Sequence, residues 1–192
     1  MITLIIVDCQ NDFITGTMAV KGAKNVLISI KKFIKEHTKE IDKIIFTVDW
    51  HPYNHISFKK YGGQWPSHCV QYTPGACIEP KLLKYVQSYN IPYQVSIKGE
   101  VDVREQYGAF EDIDFVQDVP VPKYYFDSIV EADATTDFVV CGIAGDYCVK
   151  ATIQNMINEE IIPKVFCPGI VSIDGGKIFN QFIKDNKLEK IV

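Results

Sequence analysis

The chain has 192 residues, 47% of them hydrophobic and 23% charged, enough apolar material for one core and too much for a disordered or fibrous chain. Twenty Lys and Arg against 24 Asp and Glu give a net charge of −4 with no basic run, which argues against a nucleic-acid or anionic-membrane binder. The longest charge-free stretch, 61–78, is broken by Gly62, Gly63, Pro66, Pro74 and Gly75 and cannot span a bilayer, and the apolar N-terminus meets Asp8 too soon for a signal peptide.

In chain order, apolar β-branched runs alternate with helical patterns. Residues 3–7 read as a strand buried on both faces. Val26, Leu27, Ile30, Phe33 and Ile34 then fall at helical spacing between 24 and 37. Residues 43–48 form the second strand, and a loop rich in Gly and Pro follows to about 75. Leu82, Leu83 and Val86 mark a helix, and 93–97 an alternating third strand. Residues 112–133 are ambiguous, with a short helix at 127–133 as one reading. The fourth strand is 138–142, a helix covers about 147–159, the fifth strand is 164–166, and Ile178, Phe179, Phe182 and Ile183 give a last helix. This alternation predicts an α/β fold: three αβα layers, a mostly parallel Rossmann-like sheet with helices on both faces, and a single domain over 1–192.

Ligands of an open α/β sheet sit beyond the carboxyl ends of its strands. The first strand ends in Asp8, the second in Asp49 and the third in Lys98, and a short turn after the fourth delivers Cys148. Each alone has an ordinary explanation as a turn cap, a solvated lysine or a packed thiol. Together they bring two acids, an amine and a thiol to one edge of the sheet. The small-residue turn Gly142-Ile143-Ala144-Gly145 places Cys148 in the first turn of a helix, where the helix dipole favours thiolate and free N–H groups can bind an oxyanion. A nearby carboxylate would be the base and a lysine would hold it ionised, which is acyl transfer through a thioester. Three of the four histidines, His51, His55 and His68, fall in the loop after the second strand. Asp49-x-His51 puts two ligands on one side of an extended segment, and a third from further along completes a facial set for iron, zinc or manganese. The six cysteines show no C-x-x-C pair and read as free thiols, mostly buried, in a cytoplasmic protein.

The motifs Val7-Asp8-Cys9-Gln10-Asn11-Asp12-Phe13, Asp49-Trp50-His51-Pro52-Tyr53-Asn54-His55, Trp65-Pro66-Ser67-His68-Cys69, Lys98-Gly99 and Gly142-Ile143-Ala144-Gly145-Asp146-Tyr147-Cys148 resemble, in order, the nicotinamidase/pyrazinamidase branch of the isochorismatase-like cysteine hydrolases. The resemblance spans about residues 1–175. It implies a triad of Asp8, Lys98 and Cys148, and one divalent metal, zinc favoured over iron or manganese, on Asp49, His51 and His68. His55 is then either a fourth ligand or a partner of the ligands. It also implies a cis peptide between Ile143 and Ala144 that aims the N–H groups of Ala144 and Cys148 at the oxyanion, and a ring slot of Phe13, Trp65 and Tyr107. The implied activity is hydrolysis of nicotinamide to nicotinate and ammonia in NAD salvage, by a homo-oligomer. Gly145 stands where the family commonly has Thr, Gly108 where Ser is usual, Tyr72 for a frequent Gly and Cys77 for a frequent Glu. These departures bear on loop shape and substrate preference.

Three rivals remain at this point. A related amidase or carbamoyl hydrolase acting on another small amide would typically lack the histidine loop. A non-catalytic binding protein on the same fold would be expected to have lost Asp8, Lys98 or Cys148. A thiol redox protein would need a resolving cysteine beside Cys148.

Overall fold

The computed structural model of the chain describes residues 1–110 and 135–192. The ambiguous stretch 112–133, with its helix reading at 127–133, lies outside the described residues.

Six parallel strands form one sheet among the described residues: β1 (Ile2–Val7), β2 (Ile41–Asp49), β3 (Tyr93–Lys98), β4 (Asp137–Ile143), β5 (Lys164–Val171) and β6 (Lys190–Ile191), in the order β3-β2-β1-β4-β5-β6. Helices α1 (Asn11–Ile14), α2 (Ala23–Glu36) and α3 (Pro80–Ser88) precede β4, and α4 (Lys150–Asn158) and α5 (Lys177–Asp185) follow it. Every residue of β1 is buried. Successive side chains of a strand point to opposite faces, so Leu4 and Ile6 join a cluster with Val26, Ile30, Phe33, Ile34, Leu82 and Val86 of α2 and α3. Ile5 and Val7 join the other cluster, with Ile153 and Met156 of α4 and Phe179 and Ile183 of α5. Each such fully buried aliphatic contributes about 1.5–3 kcal/mol, and together they make three layers with helices on both faces.

Three features differ from the sequence reading, each for a local reason. β3 is an outermost strand among the described residues, and its alternation reflects one face that buries Ser96 and Lys98 and one open face (Tyr93, Val95, Ile97). β5 runs past Pro168 to Val171 because its pairing with β4 shifts register between Val140 and Gly142, and the irregular segment accommodates the proline. β6 is only two residues long, too short for an apolar run to mark it in the sequence.

The chain leaves β1 toward one flank of the sheet and β4 toward the other. The order therefore reverses between β1 and β4, the switch point where open α/β sheets bind ligands. Among the described residues no helix is long and apolar enough to cross a membrane.

Candidate active site

Parallel register brings the strand ends together: Asp49 pairs with Lys98 across β2 and β3, and Asp8 follows Val7, which pairs with Thr47 on one side and Gly142 on the other. Lys98 is 1% exposed, and its ammonium is the hub of the site. Its Nζ lies 2.8 Å from Asp8 Oδ2, contacts Asp49 Oδ1, and stands 3.6 Å from Cys148 Sγ. Thr47 Oγ1 donates to Asp8 Oδ1 at 2.7 Å. Asp8 Oδ2, although close to the ammonium, has no aligned hydrogen-bond donor. It is the open acceptor in the cluster, and Asp8, Asp49 and Cys148 each bring an atom within 4.8 Å of the others. Asp8 also holds φ at 50°, a left-handed conformation that non-glycine residues rarely keep without a compensating network.

The charges within the cluster are set by burial and by the lysine. Burial would discharge Lys98, but Asp49, Asp8 and Cys148 outweigh it and hold the ammonium well above its ordinary range. Burial raises Asp8, only partly offset by Lys98. Burial also pushes the Cys148 thiol well up, against the pull of Lys98 and reinforced by the two carboxylates. This corrects the expectation of a thiolate from helix position alone. Cys148 sits in a π-helical turn, Gly145–Val149, ahead of α4, and there burial beats the helix dipole. Burial thus favours a thiol at Cys148 beside a carboxylate of raised proton affinity, an arrangement that can pass a proton between them.

A second constellation adjoins the first. Asp49 Oδ2 lies 3.5 Å from His51 Nε2 and 3.8 Å from His68 Nε2, and the three can present one ligand atom each to a common centre. His51 Nδ1 donates to the Gly99 carbonyl at 2.9 Å, and His68 Nδ1 donates to the Pro66 carbonyl at 2.8 Å. Carbonyls only accept, so both Nδ1 atoms carry a hydrogen and both Nε2 atoms turn toward Asp49, which, against burial, raises the proton affinity of His51. That is the ring orientation a metal-binding histidine adopts when a carbonyl holds its other nitrogen. Burial opposes ionisation of Asp49, yet Lys98 and the two histidines hold its carboxyl below the usual range. The donor set therefore fits a divalent ion. His55 has a different position. It stacks on His51 with ring centroids 4.1 Å apart, its Nδ1 accepts from Ser57 Oγ at 2.7 Å, and its Nε2 donates to the Arg104 carbonyl at 2.9 Å. Burial and His51 hold it neutral, with its pKa down to about 4. Both nitrogens are spent, so His55 backs His51 and is not placed as a fourth ligand.

Between the constellations lies a pocket of about 370 Å³ lined by Phe13, Trp65, Tyr107, Ala144, Cys148, Asp49 and His68. Trp65 Nε1 donates to Tyr107 Oη at 3.1 Å, and Phe13 packs 5.5 Å from the His68 ring. The Ile143–Ala144 peptide is cis. Ala144 lines the pocket, while Ile143 is buried beneath it.

Several contributors carry no signal of their own in the sequence. Tyr147 lies edge-on to Trp65 at 5.0 Å, and Met18, Val20, Glu105 and Ile173 complete the pocket wall. Gln10 brackets the Asp49 backbone, its Oε1 accepting the Asp49 N–H at 2.8 Å and its Nε2 donating to the Asp49 carbonyl at 2.7 Å. Asp12 accepts the N–H of Cys69 at 2.8 Å, next to His68, and that of Thr17 at 3.2 Å. Gln10 and Asp12 belong to a recognisable motif, but only the fold shows what they hold. The six cysteines are all free; Cys9, Cys69 and Cys141 are buried, Cys167 is half-buried and Cys77 is exposed.

Residues 3–165 match the isochorismatase domain family. The chain is 32% identical over 178 residues to a nicotinamidase of Saccharomyces cerevisiae, covering 79% of each protein. Its fold superposes on a pyrazinamidase of Pyrococcus horikoshii in complex with zinc, with a TM-score of 0.77 and 26% identity over 99% of this chain and 98% of that one. It superposes equally well on an L. infantum protein solved with nicotinate, at TM-score 0.79 and 26% identity over 100% of this chain and 92% of that one. The chain belongs to the isochorismatase family, in its nicotinamidase/pyrazinamidase branch.

Proposed function

We propose that this protein hydrolyses nicotinamide to nicotinate and ammonia through a thioester on Cys148. The observation that carries the reading is the convergence of Asp8 and Lys98 on Cys148, which lines an aromatic pocket together with Asp49 and His68. It is supported by the nicotinamidase relative and by the neighbour solved with nicotinate.

The substrate ring lies between Phe13, Trp65 and Tyr107, with its carboxamide over Cys148. The thiol proton moves to Asp8 Oδ2 as sulfur bonds the carbonyl carbon and the carbonyl electrons move onto oxygen. When that oxyanion collapses, the C–N bond breaks, and the nitrogen leaves as ammonia with the proton from Asp8. Asp8 then takes a proton from water, whose oxygen adds to the thioester carbon. The C–S bond breaks, sulfur recovers the proton, and nicotinate leaves. Lys98 remains charged throughout and balances whichever neighbour is anionic. Asp49, His51 and His68 would hold one divalent ion, which supplies a Lewis-acid anchor for a ring nitrogen or its bound water. The zinc in the P. horikoshii neighbour supports zinc as that ion.

The same reading takes residues 1–192 as one domain acting in the cytoplasm, as a homo-oligomer, in NAD salvage. The test is ammonia release from nicotinamide by wild type, Cys148→Ala and chelator-treated protein. Wild type should turn over, Cys148→Ala should be silent, and removing the metal should abolish activity that zinc restores. Undiminished release by Cys148→Ala would defeat the mechanism, and no release by metal-loaded wild type would defeat the substrate assignment.

A further inference from the structure

One segment touches the pocket without belonging to the strand-end cluster or the histidine loop. Ile170 and Val171 of β5 pair with Gly142 and Ile143 of β4, so the chain leaves β5 beside the turn that carries the nucleophile. The next residues, Ser172-Ile173-Asp174, are docked onto that turn by two features of this sequence. Gly145 has no side chain, and a Cβ there would lie 2.3 Å from Ser172 Oγ and 3.0 Å from Ile170 Cγ2. Asp146, buried and two residues before Cys148, spends both carboxylate oxygens on the segment: Oδ1 accepts the Ile173 N–H and Oδ2 the Asp174 N–H, each at 2.9 Å. Asp174 in turn accepts the N–H groups of Gly176 and Ile178, both at 2.7 Å, which fixes the far end of the segment to the start of α5.

The result is a fixed position for Ile173. Its side chain is 48% exposed yet lines the central pocket. It also lines two open grooves beside that pocket. One, of about 840 Å³, runs along Cys167, Ile170 and Phe179, and the other, of about 790 Å³, along Lys21, Lys59 and Gln64. Ile173 is the one described residue that lines both the central pocket and the Cys167 groove, and it shares the boundary with the Lys59 groove with Met18, Val20 and Trp65. On the Cys167 side one aliphatic side chain therefore limits what a substrate ring can carry, since one methylene in an apolar pocket changes selectivity by about ten- to 200-fold.

We propose that Ile173 is a specificity-determining residue that confines the site to small unsubstituted aromatic amides, and that Asp146 is the positioning residue that holds it there. The inference rests on the nicotinamidase reading and adds the residue that sets its upper size limit. Its test is the ratio of kcat/KM for ring-methylated nicotinamides to that for nicotinamide, in wild type, Ile173→Ala, Asp146→Asn and Gly145→Ala. Ile173→Ala should raise the ratio at least tenfold for at least one methylated isomer. Asp146→Asn, with one of its two acceptors replaced by a donor, and Gly145→Ala, which pushes the segment off the turn, should shift the ratio in the same direction. A general loss of structure would lower both rates together and leave the ratio alone. Ile173 is half exposed, so its variant carries the test even where Asp146→Asn does not fold. An unchanged ratio in Ile173→Ala, with wild type active on nicotinamide, overturns the inference and leaves the function standing; a wild type inactive on nicotinamide removes both.

Discussion

Gly99→Ala perturbs the histidine loop without replacing Asp49, His51 or His68. Gly99 follows Lys98 directly, holds φ at 69°, and accepts His51 Nδ1–H at 2.9 Å through its carbonyl. A Cβ at this position would lie 2.4 Å from His51 Cε1 and 2.6 Å from Nδ1, well inside contact distance. The substitution therefore carries two costs. The left-handed conformation costs an alanine about 1–2 kcal/mol, which lowers the melting temperature of the metal-free protein. The imidazole must also rotate or retreat, and it loses the carbonyl that fixes its tautomer. Disturbing such an orienting partner typically costs ten- to 100-fold in metal affinity. The assay is zinc titration by calorimetry on purified apo protein, with thermal melts of apo and loaded forms beside it. The expected outcome is a zinc Kd weakened by about one to two decades, and a smaller melting shift on loading than in wild type. Wild-type zinc affinity in Gly99→Ala would refute the argument that the Gly99 backbone seats His51 as a ligand.

Thr47→Val removes the hydroxyl that bonds Asp8 Oδ1 at almost constant volume. A hydrogen bond to a charged group contributes about 1.5–3 kcal/mol, so chemical denaturation should show a loss of that size, and a loss near zero would contradict the buried bond. Asp8 is raised above the ordinary carboxylate value by burial, incompletely offset by Lys98. Protonated Asp8 cannot accept the thiol proton, so kcat/KM should fall on acidification with an acid limb above pH ~4. A limb at or below that value would remove Asp8 from the role of base. Lys98→Met leaves Asp8 and Asp49 buried without their shared cation, and breaking such a cluster costs about 3–5 kcal/mol. Both carboxylates would then bind protons more tightly folded than unfolded, so the variant should regain stability as pH falls through their raised folded values; melts that worsen monotonically with acid would contradict this.

The parts legible in the sequence are those written into strand ends. Asp8, Asp49 and Lys98 each terminate an apolar run, and parallel pairing then leaves their side chains little freedom in where they meet. The histidine loop was legible as a cluster, but not the division of labour within it. His51 and His55 differ only in which carbonyl and hydroxyl happen to face their nitrogens, and those come from residues 99, 104 and 57. Thr47, inside β2, looks like any β-branched strand residue until its register with β1 is known. Asp146 reads as part of a motif, yet its partners lie 27 and 28 residues downstream. The thiolate expectation failed for a similar reason. Helix position is local and readable, whereas the burial that outweighs it is made by the core cluster on one face of the sheet, assembled from distant segments.

The central claim is that an acyl group passes through the sulfur of Cys148. Its most direct test is mass-spectrometric peptide mapping of protein acid-quenched during turnover of nicotinamide. A nicotinoyl group is expected on the peptide carrying Cys148 and on no other cysteine peptide. A quenched enzyme with ammonia already released and Cys148 unmodified, or with the acyl group on another residue, would contradict it.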